Sequence, residues 1–212
     1  MMHFTAKDVL LNDDGRVREI LDTNEKKQLR NLADLMLSVY FPMERIANEV
    51  IQRCGFTIHN IVNWLMGSVP FSDPCRQRQL HEGIRAFLDG NSIVATHVLA
   101  PQIEAGVRRL ADSLGQPRLQ SRNPSGGPDE VRLLGSLLDD ERVAAALGTA
   151  EHMRLRTLLV EPAGMNLRNN IAHGLSSDAR LGMAQAFWLF HAVLALGCIR
   201  PDRDESEPKG ES

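Results

Sequence analysis

Read for the period of its apolar positions, the chain is helical over most of its length. Leu29, Leu32, Ala33, Met36 and Leu37 recur at helical spacing and predict a first helix over 24–39. Pro42 is expected to stop it, with residues 40 and 41 biased to extended backbone. Ile46, Val50, Ile51, Cys54, Ile58, Ile61, Val62 and Leu65 mark a broad apolar face and predict a second helix over 43–66. Gly55 interrupts that face and is expected to bend the helix or allow a close contact. Asp73 and Pro74 suit the cap and first position of a third helix over 75–88, with Leu80, Ile84, Phe87 and Leu88 inward. The clearest stripe, Leu99, Ile103, Val107, Leu110 and Leu114, predicts a fourth helix over 93–114. Asn91 or Ser92 caps it, Pro101 is expected to kink it and Gly115 ends it.

Shorter helices are expected over 130–138, 140–147 and 151–160, then a break at Pro162 and Gly164, then a helix over 165–175 that Asn166 is placed to cap. The final helix, over 179–199, is apolar nearly all round. Met183, Phe187, Phe190, Val193 and Leu194 suit either a central position or a partner surface. Close helix crossings are expected near Gly55, Gly106 and Gly174. The pattern as a whole is all-α, a bundle of long helices. Residues 23–200 form a single helical domain, 1–22 an arm with a turn at Asp13–Gly15, and 201–212 a disordered acidic tail. Residues 116–129, rich in Pro, Gly and Ser and carrying Arg118 and Arg122, read as an exposed loop.

Composition sharpens this picture in one respect. With 43% hydrophobic but only 5% aromatic residues, the core has to be aliphatic. Net charge is -3 from 24 basic and 27 acidic residues. The segment after Pro201 accounts for all of that deficit, so the remainder is formally neutral and supplies no global basic field. Cys54, Cys75 and Cys198 form no CxxC and no disulfide framework, which points to a reducing, cytoplasmic setting. No apolar run reaches membrane-spanning length without charge, and the opening residues lack the order of a secretion signal, so no membrane partner is expected. The phosphate-loop, dinucleotide, zinc-protease and calcium-loop motifs are missing, and the seven histidines do not join cysteines at zinc spacing. Neither a metal nor a cofactor is expected.

Chemistry concentrates in one stretch, Leu167–Gly174, which reads LRNNIAHG. On a helix, Leu167, Ile171, Ala172 and Leu175 share an apolar sector, and Arg168 falls inside it. A permanently charged side chain there needs either an ion pair or a polar cleft. Asn169 and His173, four apart, share another face. Glu104, with Arg108 one turn on and His97 on the same flank of the fourth helix, is the acid expected beside Arg168. A purely structural role would have Arg168 paired with Glu104 or another core acid and His173 buried at the helix end, bonded to a carbonyl.

Arg168, Asn169 and His173–Gly174 resemble the RN-x3-HG signature of an uncharacterised bacterial and eukaryotic domain family. That family also includes the C-terminal part of a eukaryotic ER membrane-associated RNA degradation protein. Ala100–Glu104 with Val107–Leu110 resembles the family's other block, and the likeness covers roughly 80–196. The signature also resembles the R-x(4–6)-H pattern of the HEPN superfamily, all-helical, often dimeric domains, many of them metal-independent endoribonucleases. The resemblance implies a homodimer with Arg168 and His173 as catalytic candidates and Asn169 orienting them. Glu104, Arg108, Asn170 and His97 are the supporting or RNA-contacting candidates. RNA brings its own nucleophile, the 2′-hydroxyl; a histidine can move the proton and an arginine can fork onto phosphate oxygens, leaving a 2′,3′-cyclic phosphate. Other members of that superfamily lack activity. A non-catalytic interaction or dimerisation domain, with a protein partner on the last apolar helix, is therefore the alternative.

Overall fold

The computed structural model describes residues 8–11, 17–116, 119–120 and 130–200. Two helices, α5 (Ser92–Ser113) and α10 (Met183–Gly197), stand at the centre and bury most of their circumference. They pack on each other and on α4 (Gln77–Leu88). α10 puts Phe187, Phe190, Leu189, Val193 and Leu196 into the core, and α5 adds Leu99, Ile103, Val107 and Leu110. Phe87 of α4 stacks on Phe190 with ring centroids 4.6 Å apart. One apolar cluster runs from Ala33 to Leu196. The last helix thus takes a central position, and the core accounts for most of its apolar circumference.

Around that centre lie α1 (Asn24–Ser38), α2 (Tyr40–Arg53) and α3 (Ile58–Met66). Trp188 Nε1 donates to the carbonyl of Met36 at 2.9 Å, tying α10 to α1. The stretch expected as one helix over 43–66 is two helices. Cys54 ends α2, Gly55 takes φ +64°, and Thr57 caps α3 by accepting from Asn60 N. A left-handed residue ends a helix rather than bending it. Residues 40 and 41, expected extended before Pro42, open α2 instead. The missing proline N–H then falls in the first turn, where no intrahelical acceptor exists. Asp73 accepts from Cys75 N and starts a short 3₁₀ turn (Pro74–Arg76) before α4. Asn91 caps α5 through Val94 N, as expected, and Pro101 sits within that helix.

Of the three crossings expected at glycines, only Gly106 meets a neighbour: a Cβ there would lie 3.2 Å from Phe71. Gly55 and Gly174 face open space; both are left-handed residues just past the ends of helices. The tight crossings are at Gly83, where an added Cβ would lie 2.6 Å from Leu99, and at Gly197, where it would lie 2.6 Å from Leu65 and 2.9 Å from Trp64.

The N-terminal arm holds an antiparallel pair, β1 (Asp8–Leu11) and β2 (Val17–Leu21), with an irregularity between Leu10 and Leu11. Its expected turn at 13–15 lies outside the described residues, as do the tail over 201–212 and most of the 116–129 loop with Arg118 and Arg122. A second short pair, β3 (Leu119–Gln120) and β4 (Glu130–Val131), leads into α6 (Leu134–Leu138), α7 (Glu141–Leu147) and α8 (Thr149–Leu155). α8 widens into a π turn (Arg156–Val160) before α9 (Leu167–Ala172).

Candidate functional site

The approach to α9 is built before α9 begins. The π turn leaves the Thr157 carbonyl to accept from Met165 N at 2.7 Å, and Gly164 lies flat against it. A Cβ at Gly164 would lie 2.3 Å from that carbonyl oxygen, so no other residue fits without backbone movement. Asn166 then takes φ +53°, the one non-glycine residue with positive φ among those described. Asparagine tolerates this conformation better than most side chains. Its side chain does not cap α9 as expected; Asn166 Oδ1 accepts from Asn169 Nδ2 at 2.8 Å. This bond and a longer one from Asn169 to the Val160 carbonyl, 3.4 Å, fix the Asn169 amide against the π turn.

Arg168 resolves the conflict noted in its helical position by pairing with α5. Its Nε donates to Glu104 Oε2 at 2.8 Å and its Nη2 reaches Glu104 Oε1 at 3.4 Å. The remaining Nη1 donates to Asn169 Oδ1 at 3.1 Å. Glu104 also accepts from Arg108 Nη2 at 2.8 Å, and that same nitrogen lies 3.3 Å from the Arg132 carbonyl. One carboxylate, 14% exposed, thus bridges two half-buried guanidinium groups. Burial pushes the Glu104 carboxyl up, but the hydrogen bonds from Arg168 and Arg108 outweigh it and hold the group below its ordinary value. The expected Glu104–Arg168 pairing is therefore present, and Arg108 and Asn169 belong to the same network.

The other site candidates stand apart from it. His173 follows the last turn of α9 as its C-terminal cap residue and is exposed, with no side-chain hydrogen bond among the described residues. The buried, carbonyl-bonded position that a structural histidine would take is not the one observed. Five residues of helix separate it from Arg168 by about 140° around the axis and about 7.5 Å along it. Asn170, expected as a supporting or RNA-contacting residue, is 8% exposed and donates to the Met165 carbonyl at 3.2 Å. It faces the far side of the helix and holds the turn before it. His97 lies two turns before Glu104 on α5 and bonds its own Ile93 carbonyl at 2.8 Å.

Two features of this site were not read from the sequence. The π turn has no pattern of its own and depends on packing against α9. The left-handed Asn166 had one signal, since asparagine is the non-glycine residue most often found there. Among the described residues no group of three metal-ligating side chains converges. No helix among them is long and apolar enough to cross a membrane. Comparison with protein-family models, with curated proteins and with solved structures finds no match.

Proposed function

We propose that this chain is a HEPN-like RNA-binding or RNA-cleaving module that works as a homodimer without metal. The observation that carries the reading is an exposed His173 at the C-terminal end of the short helix that carries a fork-shaped cation, Arg168, held in one orientation by Glu104 and Asn169. An arginine pre-set by a carboxylate loses little side-chain entropy when a phosphate arrives. An exposed imidazole can take the proton of a 2′-hydroxyl or return one to the leaving 5′-oxygen. One chain offers a single histidine here, whereas cleavage needs an acid and a base, and a two-fold pair of chains would supply both. Asn169 orients the arginine; Glu104 and Arg108 position it from α5. His97 and Asn170 take no part in this reading.

The test uses purified full-length protein, labelled RNAs of varied sequence and excess EDTA. Cleavage that leaves a 2′,3′-cyclic phosphate supports the enzyme form of the proposal. His173→Ala is expected to slow it by about 10²–10⁴-fold, the span usual for loss of a general acid or base. Because His173 is exposed and without a described partner, the fold should survive. RNA retained in a filter-binding assay without cleavage supports the binding form. Protein that neither binds nor cuts overturns both.

A second reading, a non-catalytic interaction domain, is favoured by a different surface. Val50, Phe56 and Trp64 are 42% to 47% exposed and line one apolar groove with Ile51, Cys54 and Cys198. Exposed apolar surface of this extent commonly marks a protein contact.

A further inference from the structure

On the flank of α5 next to the Glu104 network lies a cavity of about 140 Å³. Arg76, at the end of the 3₁₀ turn before α4, reaches it from one side, and Arg108 and Arg109 reach it from α5. Asp73 and Asp112 also line it, so three guanidinium groups face two carboxylates and one positive charge is left over.

Each partner in this lining is already positioned. Asp73 accepts from Cys75 N at 3.0 Å and is ion-paired with Arg109 Nη2 at 3.2 Å and, more loosely, with Arg76 Nε at 3.9 Å, and these contacts keep its carboxyl below the ordinary range despite some desolvation. It sits between Arg76 and Arg109 and holds both at the cavity wall. Arg76 Nη1 donates to Gln102 Oε1 at 3.3 Å. Gln102, only 4% exposed, is itself fixed because its amide donates to Gln79 Oε1 at 2.7 Å. Arg108 differs from the other two. Its Nη2 is used by Glu104 and the Arg132 carbonyl, yet its Nε is buried with no hydrogen-bond partner among the described residues. A buried N–H that has lost water and gained nothing is unfavourable, and a shift of the side chain that brings it to an acceptor recovers that loss.

Size narrows the class of acceptor. The cavity is smaller than the roughly 300 Å³ at which sites for drug-sized ligands begin. It has room for a tetrahedral oxyanion and a few waters, not for a base and sugar. Apolar walls from Phe71 and Leu80 lower the local dielectric and strengthen charge-assisted bonds made inside.

We propose that this cavity is a phosphate pocket in which Arg76, Arg108 and Arg109 hold a tetrahedral phosphate group. Arg108 and Arg168 share Glu104 Oε1, so the pocket adjoins the candidate site directly. On the RNA reading, on which this clause rests, the group is a backbone phosphate of the strand engaged at Arg168. A free phosphate ion offers the same chemistry.

The experiment titrates full-length protein with inorganic phosphate and follows the arginine Nε–H resonances by NMR. Saturable shifts at Arg76, Arg108 and Arg109 are expected. Arg109→Gln and, separately, Arg76→Gln should each weaken binding about tenfold, the loss of one charge-assisted contact. Arg168→Lys should leave these shifts in place. A short RNA that displaces phosphate, where its methylphosphonate analogue does not, identifies backbone phosphate as the occupant. Phosphate binding that RNA leaves untouched identifies a small-anion pocket and counts against the strand alone. Shifts missing at all three arginines, or unchanged in both glutamine variants, overturn the pocket, whatever the RNA assays return.

Discussion

Glu104 holds two guanidinium groups with one carboxylate, and that makes its charge more consequential than its own burial suggests. Glu104→Gln leaves Arg168 and Arg108 half-buried without a counter-charge, a change expected to cost roughly 2–3 kcal/mol. The folded group is depressed below its ordinary 4.5. Its contribution is therefore fully present above that value and is lost as pH falls through the depressed one. Denaturant midpoints of wild type and variant should differ by a constant amount near neutrality and converge in acid. A gap that persists unchanged to pH 2 would contradict the linkage. His191 behaves in the opposite chemical sense. Burial and the neighbouring Arg154, whose Nη1 donates to His191 Nδ1 at 2.8 Å, lower the ring's pKa to about 4. A ring that accepts from arginine has to be neutral. Because the unfolded ring takes a proton more readily, stability is complete above about pH 6.5 and is lost between there and about 4, on the order of 2 kcal/mol after solvent screening. His191→Gln keeps an acceptor for Arg154 and should flatten that part of the stability–pH curve.

At the scale of elements, the way into α9 is the least forgiving part of the chain. Gly164→Ala drives a methyl into the Thr157 carbonyl, which already accepts from Met165 N. The expected loss is about 3 kcal/mol or more, read from thermal unfolding, with disturbed amide shifts over α9. The same region shows what could and could not be read in advance. Long amphipathic helices such as α5 carry their own period, cap and terminator, and Ser92–Ser113 follows the apolar stripe within a residue at each end. The Glu104–Arg168 pair was also legible, because a charge on an apolar sector demands a partner. The division between α2 and α3 was not, since the apolar face continues across Gly55 and only the left-handed backbone separates the two. Nor was the direction of Asn170: the two asparagines of the central stretch look alike as letters, and only packing turns one to Arg168 and the other to Met165.

At the scale of the molecule, the groove between α2, α3 and α10 gives a direct readout of assembly. Cys54 and Cys198 line it, Cys75 lies elsewhere, and all three thiols are exposed in the single chain. A thiol reagent added to native protein at low concentration should therefore titrate all three rapidly. If, at higher concentration, only Cys75 stays reactive, a second chain covers the groove and the interaction reading gains; unchanged reactivity at every concentration counts against pairing through that face.

The bond from Trp188 back to Met36 has a consequence for how the protein comes into being. A ribosome delivers α1 and α5 well before the helix that both rest on. Until the last thirty residues emerge, the stripe Leu99–Leu110 is covered by α4 but not by α10, and the nascent protein is an open book of sticky pages. Its final helix is the spine, so stalling or premature termination near residue 180 leaves a product that chaperones hold and proteases clear, rather than a shortened bundle.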